Sequence, residues 1–225
     1  MRALDLFCGV GGATRGLQLA GFHVTGVDIA DQPNYCGDEF IQADAFDVLL
    51  DGYDFIWASP PCQGYSAQTR SNTGPMLIRP VRELLMGAGP AWAIENVMGA
   101  KPYMGHTILL CGTMFGLSIT RHRLIECSRF IWQLPHDKCR GSLQREADRL
   151  ELDRRDLSIA GKGRGAGTVA RWSKLMGINW TVIRRELTEA IPPAYSEWVV
   201  KQALASEPSG PHPRSPRRHT PVSGR

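Results

Sequence analysis

Four residues carry side chains that could do covalent chemistry as a set: Cys62 in SPPCQGYS, Glu95 in ENV (95–97), and Arg121 and Arg123 in RHR (121–123). A thiol becomes a strong nucleophile once it is deprotonated, a carboxyl group moves protons, and guanidinium groups hold developing negative charge. Each signal alone has a plainer reading. A cysteine in a proline-rich turn can be structural, Glu95 can belong to a buried ion pair, and RHR can be surface charge. What sets Cys62 apart is its bracing. Pro60 and Pro61 stiffen the chain just before it, Gly64 follows, and the preceding DFIWAS has the composition of a buried strand. A backbone so restricted suits a thiol that must meet a substrate atom at a fixed angle.

The elements that must position these residues can be read from the first 130 residues. Apolar, β-rich runs at 3–7, 23–29, 40–45, 54–59, 91–97, 107–112 and 123–130 alternate with glycine-punctuated or helical stretches, the clearest at 13–20 and 77–86. Strands spaced by helix-length connections predict βαβ units, hence an α/β fold with a Rossmann-like, doubly wound, mostly parallel sheet. In such sheets ligands bind beyond the carboxyl ends of the strands. Cys62, Glu95 and the RHR run all fall at predicted strand ends.

A second feature shares that edge. DLFCGVGG (5–12) leaves the first strand and enters a helix, so that Gly9, Gly11 and Gly12 permit a tight turn and close approach of a ligand to free backbone N–H groups. Asp28 ends the second strand, where a carboxylate can accept both hydroxyls of a ribose, and Asp44 ends the third, placed to meet an adenine edge. The glycine spacing differs from the GxGxxG fingerprint of dinucleotide sites. It argues instead for an adenosyl group without a pyrophosphate, such as S-adenosylmethionine. A plain tight turn and two strand-end caps are the bland alternatives.

Taken together, these motifs resemble the DNA (cytosine-5)-methyltransferase family, in its unpermuted order and over residues 1 to about 200. DLFCGVGG is similar to the family's cofactor loop, PPCQ to its nucleophile motif, ENV to its glutamate motif and RHR to the end of its Gln-x-Arg-x-Arg motif; RRELTEAIPPAYSEW resembles the last two motifs. The resemblance implies a class I S-adenosylmethionine-dependent methyltransferase with Phe7, Cys8, Gly9, Gly11, Asp28, Ile29, Asp44, Ala45 and Ser196 at the cofactor. It implies that Cys62 attacks C6 of a cytosine flipped out of duplex DNA, that Glu95 bonds N3 and the exocyclic amine, and that Arg123 binds O2 with Arg121 in support. It also carries an expectation of DNA methylation in restriction–modification.

The sequence departs from the family in three places. Ile119 stands where the motif has Gln, AIPPAYSEW replaces the usual final motif, and the region between RHR and the return segment is very short. The expected organisation is a catalytic core at 1–127, a reduced target-recognition region at 128–170, a return segment at 171–205 and a disordered basic tail at 206–225. Such compact forms are carried by phages. The short recognition region leaves cytosine methylation of RNA or of a free nucleotide open as an alternative substrate. A catalytically inert DNA-binding or regulatory protein is the alternative of a different class, and the intact Cys62, Glu95 and Arg123 argue against it.

Charge points the same way as the motifs. Between Lys138 and Lys174 ten Lys/Arg face five Asp/Glu, and the tail adds four Arg against one Glu, so these two segments are basic and the remaining body is net acidic. This uneven placement suits a polyanion such as double-stranded DNA, and a solvated loop with a loose end is its plain alternative. No apolar run reaches the roughly 18 residues of a membrane span. The chain passes from Met1 almost directly into ALDLF, which predicts no signal peptide and a cytoplasmic location in a bacterium or phage-infected host. The oligomeric state stays open, a dimer among the options. Six scattered cysteines in a chain of 225 residues read as free thiols. Cys127, His136 and Cys139 raise the question of a metal, but a fourth ligand would have to be Cys111 or a distant histidine; two clear ligand pairs are missing, so no metal is expected. Trp132 and Trp172 are expected in the core.

Overall fold

The computed structural model describes residues 1–65, 74–136, 139–151, 157 and 167–206, with the side chains of 140–143 and 146 excepted. The glycine-rich run at 161–166 and the tail at 207–225, expected to be a loop and disordered respectively, lie outside the described residues.

Seven strands form one sheet: β1 (Arg2–Leu6), β2 (His23–Asp28), β3 (Glu39–Gln42), β4 (Phe55–Ala58), β5 (Ala91–Asn96), β6 (Thr107–Leu110) and β7 (Arg123–Cys127), in the order β3-β2-β1-β4-β5-β7-β6. The first five pair in parallel, whereas β7 runs antiparallel to both β5 and β6. The apolar runs of β1 and β4 are buried on both sides because alternate residues face opposite layers. Ala3, Phe55 and Trp57 join one core, and Leu4, Leu6, Ile56 and Ala58 the other.

Helices α1 (Gly12–Leu19) and α6 (Pro193–Ala205) pack together on the first of these layers, and α2 (Ile78–Met86) covers the second. The segment after β7, in which no core periodicity is legible, contains a helix, α3 (Cys139–Arg149); α4 (Val169–Met176) and α5 (Arg184–Glu189) then lead to α6. A third core forms here from Ile119, Trp172, Met176, Ile178 and Leu187. Among the described residues no helix is long and apolar enough to cross a membrane.

The α1–α6 contact is closed to the point that one methyl group should break it. A Cβ built on Gly16 would lie 2.1 Å from both the Pro193 carbonyl oxygen and Ser196 Oγ, and 2.7 Å from the Glu197 nitrogen. Gly16→Ala should therefore cost about 2–3 kcal/mol, a fall in Tm of roughly 5–10 °C. Gly87→Ala, where the nearest atom stands 3.6 Å away, should leave Tm nearly unchanged. Thermal unfolding of the two variants checks this, and equal midpoints would show that the helix pair is looser than described.

Candidate functional site

The glycine loop is held by bonds from several elements. Phe7, Gly9 and Gly11 all have positive φ (60°, 49° and 91°), which turns the chain sharply between β1 and α1. Thr14 Oγ1 donates to Asp5 Oδ2 (2.6 Å), tying the helix start back to β1. Burial holds the Asp5 carboxyl up to about 7, against the lowering effect of the Thr14 bonds. Trp180 Nε1 donates to the Val10 carbonyl (2.8 Å), and the Cys36 thiol donates to that of Gly11 (3.2 Å). A Cβ on Gly9 would meet nothing within 4 Å, so the inner side of the turn is open to a ligand.

Asp28 holds one side of that opening, and Asp44 follows the next strand of the sheet. Asp28, at the end of β2, accepts the Gly9 N–H with Oδ2 and the Ala30 N–H with Oδ1, both at 3.0 Å. Ile29 is 72% exposed beside it, an apolar surface next to a carboxylate. Asp44 accepts the Phe46 N–H at 3.0 Å, and Ala45 is buried. Cys8 is buried too, and burial followed by the nearby Asp5 and Asp28 pushes its thiol far above the ordinary range. An open turn, an aspartate anchoring it and an exposed apolar side chain fit an adenosyl group.

The second half of the site lies at the neighbouring strand ends. Ser59 N–H donates to the Leu6 carbonyl (3.1 Å) and Tyr65 N–H to that of Cys62 (3.0 Å), so the proline-braced stretch forms a closed turn against β1. The side chain of Asn96 donates to the Pro60 carbonyl (2.9 Å) from within the core, locking β5 to this turn. Glu95 and Arg123 form a largely buried ion pair, Nε to Oε1 2.7 Å. Arg121 is buried, donating from Nη2 to the Thr188 carbonyl (2.6 Å), while its own carbonyl accepts the Tyr195 hydroxyl (2.6 Å). Burial, with Arg123 nearby, lowers the Arg121 guanidinium to about 9, which keeps it charged at neutral pH.

Cys62 stands half-buried within the influence of all three charges. Burial pushes its thiol above the ordinary value and the Glu95 carboxylate adds to this; Arg123 and Arg121 pull the other way. The arrangement is a thiol held in its protonated form, under the influence of a carboxylate already paired with a guanidinium.

Several expectations change. Ser196 is fully buried and its hydroxyl donates to the Ala13 carbonyl (2.7 Å), so it fastens α6 to α1 and has no surface to offer a cofactor. Ile119 is also fully buried, packed with Trp172 and Leu187. Its departure from the glutamine motif follows from that apolar setting. Trp172 lies in the core, but Trp132 is 66% exposed against the equally outward Phe130, because Ile131 between them takes the inward position. Asn96 and Trp180, which brace the two loops, escape sequence reasoning. The ENV motif did contain Asn96, but nothing in its spacing announced Pro60 as partner.

Comparison with known proteins follows the same lines. Residues 1–101 match the family model for C-5 cytosine-specific DNA methylase, so the resemblance carried by the glycine loop, PPCQ and ENV is borne out over that span. No curated protein matches the sequence. Among solved structures, the Dnmt2 methyltransferase of S. pombe superposes with a TM-score of 0.62 at 15% identity, covering 91% of this chain and 98% of the other. The methyltransferase EhMeth of Entamoeba histolytica gives 0.63 at 13% identity, with 91% and 98% covered. A prophage-encoded protein of E. coli, described as a DNA modification methyltransferase, gives 0.59 at 15%, with 92% and 99% covered. At these identities the likeness establishes the class I methyltransferase fold.

Proposed function

We propose that this chain, whose first 101 residues match the C-5 cytosine-specific DNA methylase family, is an S-adenosylmethionine-dependent methyltransferase acting on C5 of cytosine in duplex DNA. The observation that carries the reading is the buried Glu95–Arg123 pair set beside Cys62, at the same sheet edge as the open glycine turn. The loop from Phe7 to Gly11, with Asp28, Ile29, Asp44 and Ala45, would hold the cofactor, which when bound supplies an electrophilic methyl group.

This chain's residues supply the rest. C5 of cytosine is a poor nucleophile until a group adds at C6. Cys62 gives up its proton to solvent and its sulfur bonds to C6, making the ring electron-rich at C5. Glu95 bonds the N3 edge and the exocyclic amine and, once the sulfur has added, passes a proton drawn from solvent to N3, which neutralises the charge that develops there and returns to solvent when the ring is restored. Arg123 holds O2, with Arg121 in support. Once C5 is methylated, its proton leaves to a base, the bond to sulfur breaks, and aromaticity returns. The cytosine must leave the helix stack for this to happen. The setting is the cytoplasm of a bacterium or of a phage-infected host.

Transfer of labelled methyl groups to duplex DNA, transfer RNA and free deoxycytidine monophosphate in competition tests the reading. Duplex DNA should take most of the label; preference for either of the others would overturn the substrate assignment. The raised thiol also fixes the sign of the pH dependence. Because the reactive form is the thiolate, kcat/KM should climb about tenfold per pH unit through the neutral range. It should level off only above the ordinary cysteine value, since burial and Glu95 hold the thiol protonated. A plateau already reached below neutral pH would contradict this.

A further inference from the structure

Away from the site, four side chains from three separate segments converge on one point. Cys111 follows β6, His122 sits between Arg121 and Arg123 at the start of β7, and His136 and Cys139 lead into α3. Their ligand atoms all lie within 4.8 Å of one another. Cys139 Sγ is 3.4 Å from Cys111 Sγ, 3.2 Å from His122 Nε2 and 2.8 Å from His136 Nε2. The two imidazoles meet edge to face, with centroids 5.2 Å apart. Nothing in the proposed methyl-transfer chemistry uses any of these four groups.

We infer that Cys111, His122, His136 and Cys139 bind a structural zinc ion that clamps the start of α3 to the strand carrying the two arginines. Zinc takes four ligands tetrahedrally, with Zn–S near 2.3 Å and Zn–N near 2.0–2.1 Å. That geometry sets neighbouring ligand atoms roughly 3.3–3.8 Å apart. The observed separations around Cys139 fall short of this by under about an ångström, so a metal needs only a slight spreading of the side chains. Two thiolates and two neutral imidazoles favour zinc over harder cations, and four protein ligands close the shell, which excludes a catalytic water. On binding, both thiols release a proton and both sulfurs become anionic. Thr113 Oγ1, 3.4 Å from Cys111 Sγ and 3.8 Å from Cys139 Sγ, can donate to those sulfurs.

The inference departs from the sequence expectation of no metal, and the reason is physical. His136 and Cys139 form a visible pair, but their partners arrive from a sheet edge that spacing does not encode. Cys127, the third residue in question, lies outside the cluster. The clamp also meets a need. Among the described residues, the core around α3 consists of Ala147 and Leu157, with Leu150 and Leu175 packed against them. A core so small does not hold a segment by itself, and small units of this kind are commonly fastened by a metal. Because Arg123 Nη1 donates to the His122 carbonyl (2.8 Å), the ion would also steady the arginine of the Glu95 pair.

The full chain, purified without chelator, should carry one zinc per protein by elemental analysis and keep it through gel filtration. Exchange with cobalt should give the intense visible bands of a tetrahedral site together with thiolate-to-metal charge transfer. His136→Ala and Cys139→Ser should each lose the metal, while Cys127→Ser should keep it. Wild-type protein that holds no metal and gives no tetrahedral cobalt spectrum would overturn the inference. So would a disulfide between Cys111 and Cys139 in protein kept under reducing conditions. Both metal readouts are independent of methyl transfer, so their failure is distinct from failure of the proposed function.

Discussion

Replacing Cys62 by alanine is expected to reduce methyl transfer by roughly 10⁴-fold or more while leaving cofactor affinity and Tm close to those of the parent. The size of the loss follows from the chemistry. Without addition at C6, C5 has almost no tendency to accept an electrophile, and no neighbouring group among Glu95, Arg121 and Arg123 can replace a sulfur nucleophile. The small structural effect follows from the local fold. Cys62 is half-buried, and its turn is held by backbone bonds from Ser59 and Tyr65 and by the Asn96 amide, none of which needs the thiol. Equilibrium binding of S-adenosylmethionine and single-turnover methylation separate the two effects. Substantial residual transfer by the alanine variant would mean that the reaction does not pass through this sulfur.

Glu95→Gln should produce the second largest effect, a fall of about 10²–10⁴-fold in kcat. The amide keeps the shape of the side chain but cannot pass a proton on to N3, and it leaves Arg123 without its anionic partner in a largely buried place. The same substitution should act oppositely on the thiol. Glu95 is among the groups that raise Cys62, whereas Arg123 lowers it. Removing the negative charge therefore favours the thiolate, and alkylation of Cys62 at neutral pH should become faster. Methyl transfer and thiol reactivity would then move in opposite directions, which misfolding cannot mimic. If both decline together, Glu95 acts mainly in holding the strand ends in place.

The parallel half of the fold was legible because its signals are local. β1 and β4 are short apolar runs buried on both faces, and the glycine turn and the PPCQ stretch announce themselves by residues that restrict or free the backbone. Both halves of the candidate site are therefore visible as motifs in the sequence alone. What escaped was decided by distant contact. Ser196 occupies a motif position, yet the close approach of α1 and α6 at Gly16 consumes its hydroxyl. Asn96 reads as an ordinary polar residue until β5 is laid beside the turn at Pro60. Helix α3 is charged and shows a single buried side chain among those described, Ala147, so no apolar period could reveal it. The Cys111–His122–His136–Cys139 cluster joins the two ends of the loop between β6 and β7 to the chain beyond β7, a relation that only the fold creates.

The central claim is that Cys62 adds to C6 of a cytosine in duplex DNA, and a mechanism-based trap tests it most directly. In a duplex carrying 5-fluorocytosine the fluorine occupies the place of the proton that must leave C5, so the bond to sulfur cannot be released. Incubation of the full chain with this duplex and S-adenosylmethionine should give a denaturation-resistant complex whose peptide map places the adduct on Cys62, and Cys62→Ala should give none. Absence of a covalent complex from folded protein saturated with cofactor and duplex, or an adduct on any other residue, would contradict the account.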